Sequence, residues 1–207
     1  MIKDLLNRYP QLTICNNTIT HAKEELIQCF ESGGKLLLCG NGGSCSDCEH
    51  IAGELMKGFL KTRALPEEKK TEMKTNCPFI DDSILSQLQS GLPAIPLSSF
   101  TALNSAFCND VNAELVYAQT LMALAKQSDI LFAISTSGNS KNVLNAAKVA
   151  RSIGCKVIGL TGENGGKLKE IADICICVPE TETFKIQELH LPVYHYLCAE
   201  IEAYFFD

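Results

Sequence analysis

Two side chains that commonly ligate metal ions stand four residues apart, His50 and Glu54. They fall in a segment with helical periodicity that we predict to run from Asp47 to Lys57. Side chains at positions i and i+4 project from the same face of a helix, so an imidazole and a carboxylate there can reach one cation. Most such pairs are plain surface pairs, and the spacing alone leaves a metal site and a surface pair both open.

A glycine-rich segment, Gly40-Asn41-Gly42-Gly43-Ser44, follows an apolar run and precedes this helix. Glycines let the backbone approach a ligand closely, and the amide groups of a first helical turn point outward with a partial positive charge. These properties favour the binding of a phosphate or another anion. A tight corner between a strand and a helix can have the same composition, so the segment is a moderate signal by itself.

A second segment, Ser135-Thr136-Ser137-Gly138-Asn139-Ser140, follows the apolar run Ile130–Ile134 and precedes another helical pattern. It holds four hydroxyl groups, whereas capping of a helix accounts for one or two of them at most. Such hydroxyls can bind phosphate oxygens without a cationic side chain. The sequence has neither the GxxxxGK(S/T) motif nor a dinucleotide-binding fingerprint. The expected ligand is therefore a small phosphorylated molecule.

Five short apolar runs without polar alternation predict the strands of a parallel sheet that is covered on both faces. Segments with helical periodicity separate most of them, as expected for an α/β fold with three layers. The predicted strands are Lys35–Cys39, Pro93–Leu97, Asp129–Ile134, Lys156–Leu160 and Asp173–Val178.

The remaining segments flank or interrupt this alternation. Residues 1–32 have the pattern of N-terminal helices, and residues 182–207 that of a C-terminal helix interrupted by Pro192. Residues 60–90 form an insertion or flap, in which 8 of the 14 residues from Lys61 to Lys74 are charged. A connection this long is typical of a functional flap or a disordered insertion, and we expect its charged part to be a solvated face.

The composition is that of an ordinary globular protein: 207 residues, 46% hydrophobic and 20% charged, with a formal net charge of -6. This length suits one domain over residues 1–207. No apolar run approaches the ~18 residues of a membrane span, and the start, MIKDLLNRYP, does not resemble a signal peptide. The acidic balance argues against nucleic-acid binding. We therefore expect a cytoplasmic protein that binds neither nucleic acid nor membranes.

Eleven cysteines are an unusually large number. Most lie in apolar runs, where a reduced cysteine packs as a small hydrophobe, and we predict that Cys175 and Cys177 are core residues of this kind. Cys45 and Cys48 have the CxxC spacing of redox pairs, and with His50 they could also form a separate zinc site. Their position directly after the glycine-rich segment disfavours both interpretations.

Several segments, taken in order along the chain, resemble the phosphoheptose isomerase family, the sedoheptulose 7-phosphate isomerases among sugar isomerase (SIS) domain proteins. They are GNGGS, CNDVNAELVYAQ, STSGNSKNV, VIGLTGENGGKL and IQELHLPVYH. The resemblance implies a flavodoxin-like sheet with extra N-terminal helices and a homotetramer with active sites at subunit interfaces. It also implies isomerisation of sedoheptulose 7-phosphate to heptose 7-phosphate through a metal-assisted enediolate.

The same resemblance implies roles for particular residues. Glu54 is the implied base and His195 its acid partner. The implied ligands of one divalent ion, typically zinc, are His50, Glu54, Gln187 and His195. The implied substrate-binding residues are Asn41, Gly42, Gly43, Ser44, Glu54, Asn109, Asp110, Ser135, Thr136, Ser137, Ser140 and Gln187.

Gln187 and His195 lie eight residues apart, roughly 12 Å along an ideal helix. Both can reach one ion only if the helix bends, the side chains lean together, or different subunits contribute. Pro192 is one source of a bend, because a proline ring clashes with the carbonyl four residues before it. His190 points about 140° around the helix from His195, and we predict it to be a packing or surface residue.

The sequence departs from the family pattern at three places. Lys57-Gly58 stands where Gly-Arg is frequent, Phe184 stands where an acidic or hydroxyl residue is common, and the charged insertion after Leu60 is long. The sequence therefore supports the reaction class more strongly than the particular sugar. The alternative is a non-catalytic SIS module that binds a phosphosugar or a protein partner such as a replication initiator. The four implied metal ligands favour the enzyme, because a sensor needs only the phosphate loops.

Overall fold

The computed structural model describes residues 2–206, and five short strands form its central sheet. The strands are β1 Leu36–Cys39, β2 Ala94–Pro96, β3 Ile130–Ile134, β4 Lys156–Thr161 and β5 Ile174–Cys177. All neighbouring strands are parallel, and their order is β2-β1-β3-β4-β5. This is the order of flavodoxin-like folds. The sequence predicted both ends of every strand to within one residue.

Helices connect the strands and flank the sheet. The α-helices within residues 2–206 are α1 Ile2–Arg8, α2 Asn16–Glu31, α3 Gly43–Met56, α4 Glu67–Asn76, α5 Asp82–Gln87, α6 Thr101–Phe107, α7 Val116–Leu124, α8 Lys141–Ile153, α9 Leu168–Ile171 and α10 Thr183–Phe206. None of them is long and apolar enough to cross a membrane.

The sheet is buried on both of its faces. Successive side chains of a strand point to opposite faces. Leu36 and Leu38 therefore pack into one core with α1, α2, α3 and α10, whereas Leu37 packs into a second core with α7, α8 and α9. Burial on both sides explains why the strands lack polar alternation. The predicted three-layer α/β fold is confirmed.

Helix α3 begins at Gly43, four residues before the predicted start at Asp47. Its N-cap, Gly42, has φ +56°, a left-handed conformation that glycine adopts without steric cost. The helix can therefore begin inside the glycine-rich segment, whose last residues form its first turn. The partial positive charge of the helix N-terminus lies in the segment itself.

Helix α10 runs through Pro192 as one element of 24 residues, so the predicted interruption is wrong. Proline removes one backbone hydrogen bond from a helix interior. However, the Pro192 side chain is buried, and the neighbouring Val193 is fully inaccessible to solvent. Packing on the core therefore holds the helix together at this point. Gln187 and His195 consequently stand on one continuous helix.

The insertion of residues 60–90 carries α4 and α5. Helix α4 buries none of its residues, and charges pair along its surface, as Lys70 with Glu67 at 2.6 Å. The predicted solvated face is confirmed for α4, but the prediction is wrong for Arg63 of the same charged stretch, which is buried. Helix α5 buries Leu85, which fixes the insertion to the rest of the chain.

All eleven cysteines are free thiols. Six of them are buried, as most were predicted to be: Cys15, Cys29, Cys39, Cys48, Cys155 and Cys198. The prediction is wrong for Cys175 and Cys177, which are half-buried with their Sγ atoms 3.7 Å apart. Both cysteines lie on the face of β5 opposite to the buried Ile174 and Ile176. This face is only partly covered, because β5 is an edge strand of the sheet.

Candidate active site

The two segments predicted to bind phosphate lie at the carboxyl edge of the sheet. Residues 40–44 follow β1 and residues 135–140 follow β3, and these two strands pair directly. The chain order changes direction between them, because β2 lies beyond β1 on one side and β4 beyond β3 on the other. Ligands of open α/β sheets bind at such a switch point. The sheet therefore brings both segments to the place where this fold binds ligands.

The hydroxyl groups of the second segment form a cluster. Ser135 Oγ lies 3.0 Å from Ser140 Oγ, and the exposed Ser137 accepts a hydrogen bond at its Oγ from the amide of Asn139. Ser140 is the N-cap of α8, yet its side chain makes no capping hydrogen bond. Capping therefore does not account for these hydroxyls, which stand where a helix N-terminus favours an anion.

Gly138 determines the shape of this loop. Its φ is +62°, and a Cβ atom there would lie 2.0 Å from the carbonyl oxygen of Gly165. The half-buried Thr136 accepts a hydrogen bond at its carbonyl from the amide of Gly162 at 3.1 Å. The segment after β4 thus packs against the loop and leaves no room for a side chain at position 138.

The first turn of α3 lies against α10. Ser44 is buried in this turn, whereas Gly42 and Gly43 are exposed. A Cβ atom at Gly43 would lie 2.4 Å from Gln187 Nε2. Gln187 is therefore packed over the N-terminus of α3, where the anion is expected.

Asn41 connects the two loops. Its amide group exchanges two hydrogen bonds with that of Asn142, at 2.8 and 2.9 Å. Tyr117 donates from its hydroxyl to the carbonyl of Gly40 at 2.6 Å. Asn142 and Tyr117 lie in the segments STSGNSKNV and CNDVNAELVYAQ that carry the family resemblance, but sequence reasoning did not single them out as site residues. In this arrangement the amide of Asn41 holds the glycine-rich segment against the start of α8.

Asn109 and Asp110 lie in a π-helical turn, Cys108–Asn112. Both are exposed, and Asn109 Nδ2 donates to Asp110 Oδ1 at 2.8 Å. Further along, Lys141 of α8 pairs with Glu114 at 2.7 Å. The structure therefore places this segment beside α8, but it does not tie Asn109 and Asp110 into the hydrogen bonds between the two loops.

His50, Glu54 and His195 meet where α3 contacts α10. His50 Nε2 lies 3.1 Å from Glu54 Oε1 and 3.5 Å from His195 Nε2. Lys57 Nζ donates to the second carboxylate oxygen, Glu54 Oε2, at 3.3 Å. The structure thus brings three of the four implied metal ligands together. It also contains the surface pair that the sequence left open.

Gln187 is the fourth implied ligand, and its amide lies against Gly43 in the first turn of α3. Within residues 2–206 no group of three or more His, Cys, Asp or Glu side chains is arranged to hold a metal ion as it stands. The three clustered side chains face each other in pairs, and they must turn toward a common centre to share one ion.

Two residues that the sequence did not single out contact His50. Tyr194 is 1% exposed, and its hydroxyl lies 3.1 Å from His50 Nδ1 and donates to Asp47 Oδ1 at 3.2 Å. Burial raises the pKa of both the Asp47 carboxyl and the Tyr194 phenol. The phenol is therefore a proton donor at neutral pH. Asp47 and Tyr194 are far apart in sequence, so no spacing indicated their contact.

Comparisons with known proteins identify the family. The SIS domain family model matches residues 90–162. A phosphoheptose isomerase from Helicobacter hepaticus is 40% identical over 185 residues, which cover 89% of this chain and 81% of that protein. The chain belongs to the phosphoheptose isomerase family. Another member, from Helicobacter pylori, is 41% identical over 180 residues, 87% of this chain and 80% of its own length.

Solved structures of phosphoheptose isomerases have the same fold. That from Neisseria gonorrhoeae matches with a TM-score of 0.76 at 31% identity, covering 97% of this chain and 94% of its own. That from Francisella tularensis gives 0.75 at 29% identity over the same shares. The chain is therefore a sugar-phosphate isomerase. The predicted family, fold and enzyme class are confirmed.

Burial affects two histidines of α10 in this phosphoheptose isomerase family member. It lowers the pKa of His195, and the neighbouring His50 lowers it further, so the His195 ring is neutral at neutral pH. His190 is fully buried, which lowers its pKa to about 4. The prediction that His190 is a packing residue is confirmed. A neutral imidazole such as that of His195 keeps a lone pair for a metal ion.

The clustered donors fit a zinc ion in their chemistry. Imidazole nitrogens and carboxylate oxygens are usual zinc ligands, and ligands at ~2.0–2.1 Å from a tetrahedral ion lie roughly 3.4 Å from each other. The pairs measured here, 3.1 Å between His50 and Glu54 and 3.5 Å between His50 and His195, are close to that value. The spacing of these two pairs is therefore compatible with ligands of one ion.

The structure disfavours the two alternatives for the CxxC segment. Cys48 is buried, and burial raises the pKa of its thiol well above the usual range. A thiol that stays protonated is a poor nucleophile and a poor metal ligand. The half-buried Cys45 thus has no reactive partner within the motif.

Proposed function

We propose that this isomerase interconverts sedoheptulose 7-phosphate and heptose 7-phosphate. The observation that carries the proposal is the course of α3, which begins at the phosphate loop with Gly43 and bears Glu54 eleven residues later. Gly43 and Glu54 are therefore roughly 16 Å apart along the helix axis. The Glu54 carboxylate lies closer to Gly43 than this, because helical side chains lean toward the N-terminus. A substrate that spans this helix has its carbonyl several carbons from its phosphate, as a seven-carbon sugar phosphorylated at its far end does.

Glu54 and His195 carry out the proton transfers in this proposal. A base removes the proton from the carbon beside the carbonyl and returns it to the neighbouring carbon, while an acid protonates the oxygen. The contacts of Glu54 with His50 and Lys57 fix the orientation of its carboxylate. The neutral ring of His195 can donate a proton to one substrate oxygen and accept one from the next.

The phosphate binds between the hydroxyls of residues 135–140 and the first turn of α3. Ser135, Ser137 and Ser140 can donate to its oxygens, and Thr136 lies between them. Gly42, Gly43 and Ser44 border the sugar. The amides and partial charge of the two helix N-termini add attraction without a cationic side chain.

We further propose that one zinc ion binds His50, Glu54 and His195, with Gln187 of the same or another subunit as the fourth ligand. Bound there, the ion supplies Lewis-acid stabilisation of negative charge that develops on the substrate oxygens. The donor chemistry and the pair distances of the three residues support this proposal. Metal analysis of the purified protein should give close to one zinc per chain.

Turnover of a small panel of ketoses tests the function. We expect the parent protein to convert sedoheptulose 7-phosphate, and to convert sedoheptulose or a shorter ketose phosphate poorly. Ser137→Ala should raise KM for the phosphorylated sugar about tenfold, because hydrogen bonds to charged groups contribute roughly 1.5–3 kcal/mol. A preference for the shorter phosphate would overturn the named sugar. Absence of turnover with every compound would contradict the proposed reaction.

We also propose that the chain acts in the cytoplasm as a homotetramer with active sites at subunit interfaces. Helix α10 exposes large apolar side chains, with Leu191 40%, Tyr204 54% and Phe184 56% accessible. Exposed apolar surface of this kind is typical of an interface. Light scattering should give the mass of four chains, and the mass of a single chain would rule the assembly out.

A further inference from the structure

We propose that Tyr194 and Asp47 are positioning residues that hold the His50 ring with its proton on Nδ1 and its Nε2 lone pair directed at Glu54 and His195. The inference rests on the proposed function only for what Nε2 then binds. It follows from the direction of two hydrogen bonds that join these three side chains.

The Tyr194 hydroxyl has one proton to donate. It donates this proton to Asp47 Oδ1 at 3.2 Å. The contact of 3.1 Å between the same oxygen and His50 Nδ1 then requires the hydrogen to come from the ring. A neutral imidazole carries one proton. His50 Nε2 is therefore left as an unprotonated atom.

The unprotonated Nε2 faces a carboxylate oxygen that also carries lone pairs. Glu54 Oε1 lies 3.1 Å away and His195 Nε2 lies 3.5 Å away. A carboxylate oxygen opposite an imidazole lone pair repels it unless a cation or a proton lies between them. The chain from Asp47 through Tyr194 thus prepares His50 to receive a cation. Outer partners of this kind fix the tautomer and orientation of metal-binding histidines.

The burial of Tyr194 and of one Asp47 oxygen argues against a merely structural role. Tyr194 is 1% exposed and its ring contacts both His50 and His195 edge-on, at centroid distances of 5.5 and 5.0 Å. Asp47 Oδ2 is buried and has no hydrogen-bond partner among the described residues. Burial of an incompletely bonded carboxylate is costly. Asp47 therefore occupies an unfavourable site, in which only Oδ1 accepts a hydrogen bond, from the Tyr194 hydroxyl.

Two variants change these hydrogen bonds at different points. Tyr194→Phe keeps the packed ring but removes the hydroxyl, which frees His50 Nδ1 and should leave a mixture of the two tautomers. Asp47→Ala removes the acceptor, so that the phenol donates to Nδ1 and the ring proton moves to Nε2. The matched control is Tyr196→Phe, since Tyr196 is a buried tyrosine on the same helix, 8% exposed, with Glu200 as the partner of its hydroxyl.

The first measurement is the tautomer of His50 by nitrogen-15 NMR in the metal-free protein. We expect the Nδ1–H form in the parent and in Tyr196→Phe, a mixture in Tyr194→Phe, and the Nε2–H form in Asp47→Ala. An Nε2–H ring in the parent would overturn the proposal. This measurement needs neither zinc nor substrate, so the proposed function can fail while the positioning role stands, and the reverse.

The second measurement is zinc affinity by competition with a chromophoric chelator. Tyr194→Phe and Asp47→Ala should weaken zinc binding by about 10–100-fold, the usual effect of removing an outer partner of a metal ligand. Tyr196→Phe should bind zinc as the parent does. Equal zinc affinity in all four proteins, each with the parent's circular dichroism spectrum, would contradict the positioning role.

Discussion

Replacing Glu54 with glutamine should lower kcat by about 10² or more, the usual contribution of a positioned general base. The amide keeps the size of the side chain, and its oxygen can still accept a hydrogen bond from Lys57. It cannot remove a proton from carbon. The measurement is kcat and KM for the converted sugar phosphate, with circular dichroism to confirm that the fold is unchanged.

Glu49→Gln is the matched control, because Glu49 is an exposed carboxylate on the same helix. It should leave kcat within about twofold. Glu54 also has the simpler interpretation of a helix-surface pair with His50 and Lys57, and such pairs contribute under ~1 kcal/mol. If Glu54→Gln and Glu49→Gln gave the same kcat, this simpler interpretation would hold and the proposed role of Glu54 as the base would be contradicted.

His195→Ala extends this test to the acid partner. It should lower kcat as much as Glu54→Gln, and the double variant should lose little more, because residues that act as one unit are non-additive. The two single variants should differ in zinc content. His195→Ala removes a ligand outright, whereas the glutamine oxygen at position 54 can still coordinate.

The strands could be predicted because their burial leaves a local signature. Each consists mainly of apolar residues, with helices on both faces of the sheet, and a short run such as Ile130–Ile134 has no competing periodicity. The start of α3 could not be predicted as well. Glycine normally ends a helix, whereas Gly42 forms the N-cap here because of its positive φ. Pro192 misled the prediction for a similar reason, since core packing outweighed its local effect.

The residues of the candidate site also fall into two groups, those that a local sequence pattern indicates and those that it does not. His50 and Glu54 were visible from sequence because their spacing on α3 is local, and the two loops were visible from their composition. His195 and Gln187 came from the family resemblance. The contacts that orient these groups join distant segments, as in the hydrogen bonds of Tyr194 with His50 and of Asn41 with Asn142. Such pairs leave no periodic pattern, and only the folded chain brings them together.

A buried ion pair holds the end of α3 that carries Glu54. Arg63 Nε donates to Glu202 Oε1 at 2.8 Å, and neither side chain is more than 1% exposed. The guanidinium also donates to the carbonyls of Glu54 and Leu55 in the last turn of α3. The Glu202 carboxylate accepts two further bonds from the amides of residues 59–60. One pair thus joins α3, α10 and the start of the insertion.

Glu202→Gln should lower the free energy of unfolding by about 3–5 kcal/mol, the cost of breaking a buried pair by removing one partner. Glutamine has nearly the same shape but leaves the Arg63 guanidinium buried without a counter-charge. Urea unfolding at one fixed protein concentration measures the change, since assembly also contributes to stability. The control is Glu72→Gln, which breaks an exposed pair with Lys69 and should cost under ~1 kcal/mol. Equal effects of the two substitutions would show that the buried pair adds no stability.

The difference between the parent and Glu202→Gln should also depend on pH. Burial by itself would raise the pKa of Glu202, but the hydrogen bonds from the amides of Phe59 and Leu60 and from Arg63 outweigh it and lower this pKa. A carboxyl group with a lowered pKa stabilises the fold fully above its unfolded value of ~4.3. That stability is lost as pH falls through the folded pKa. The parent should therefore exceed the variant by its full margin of stability at neutral pH. This margin should shrink as pH falls below the unfolded value of ~4.3, and a margin that stayed constant on acidification would mean that the Glu202 charge is not its source.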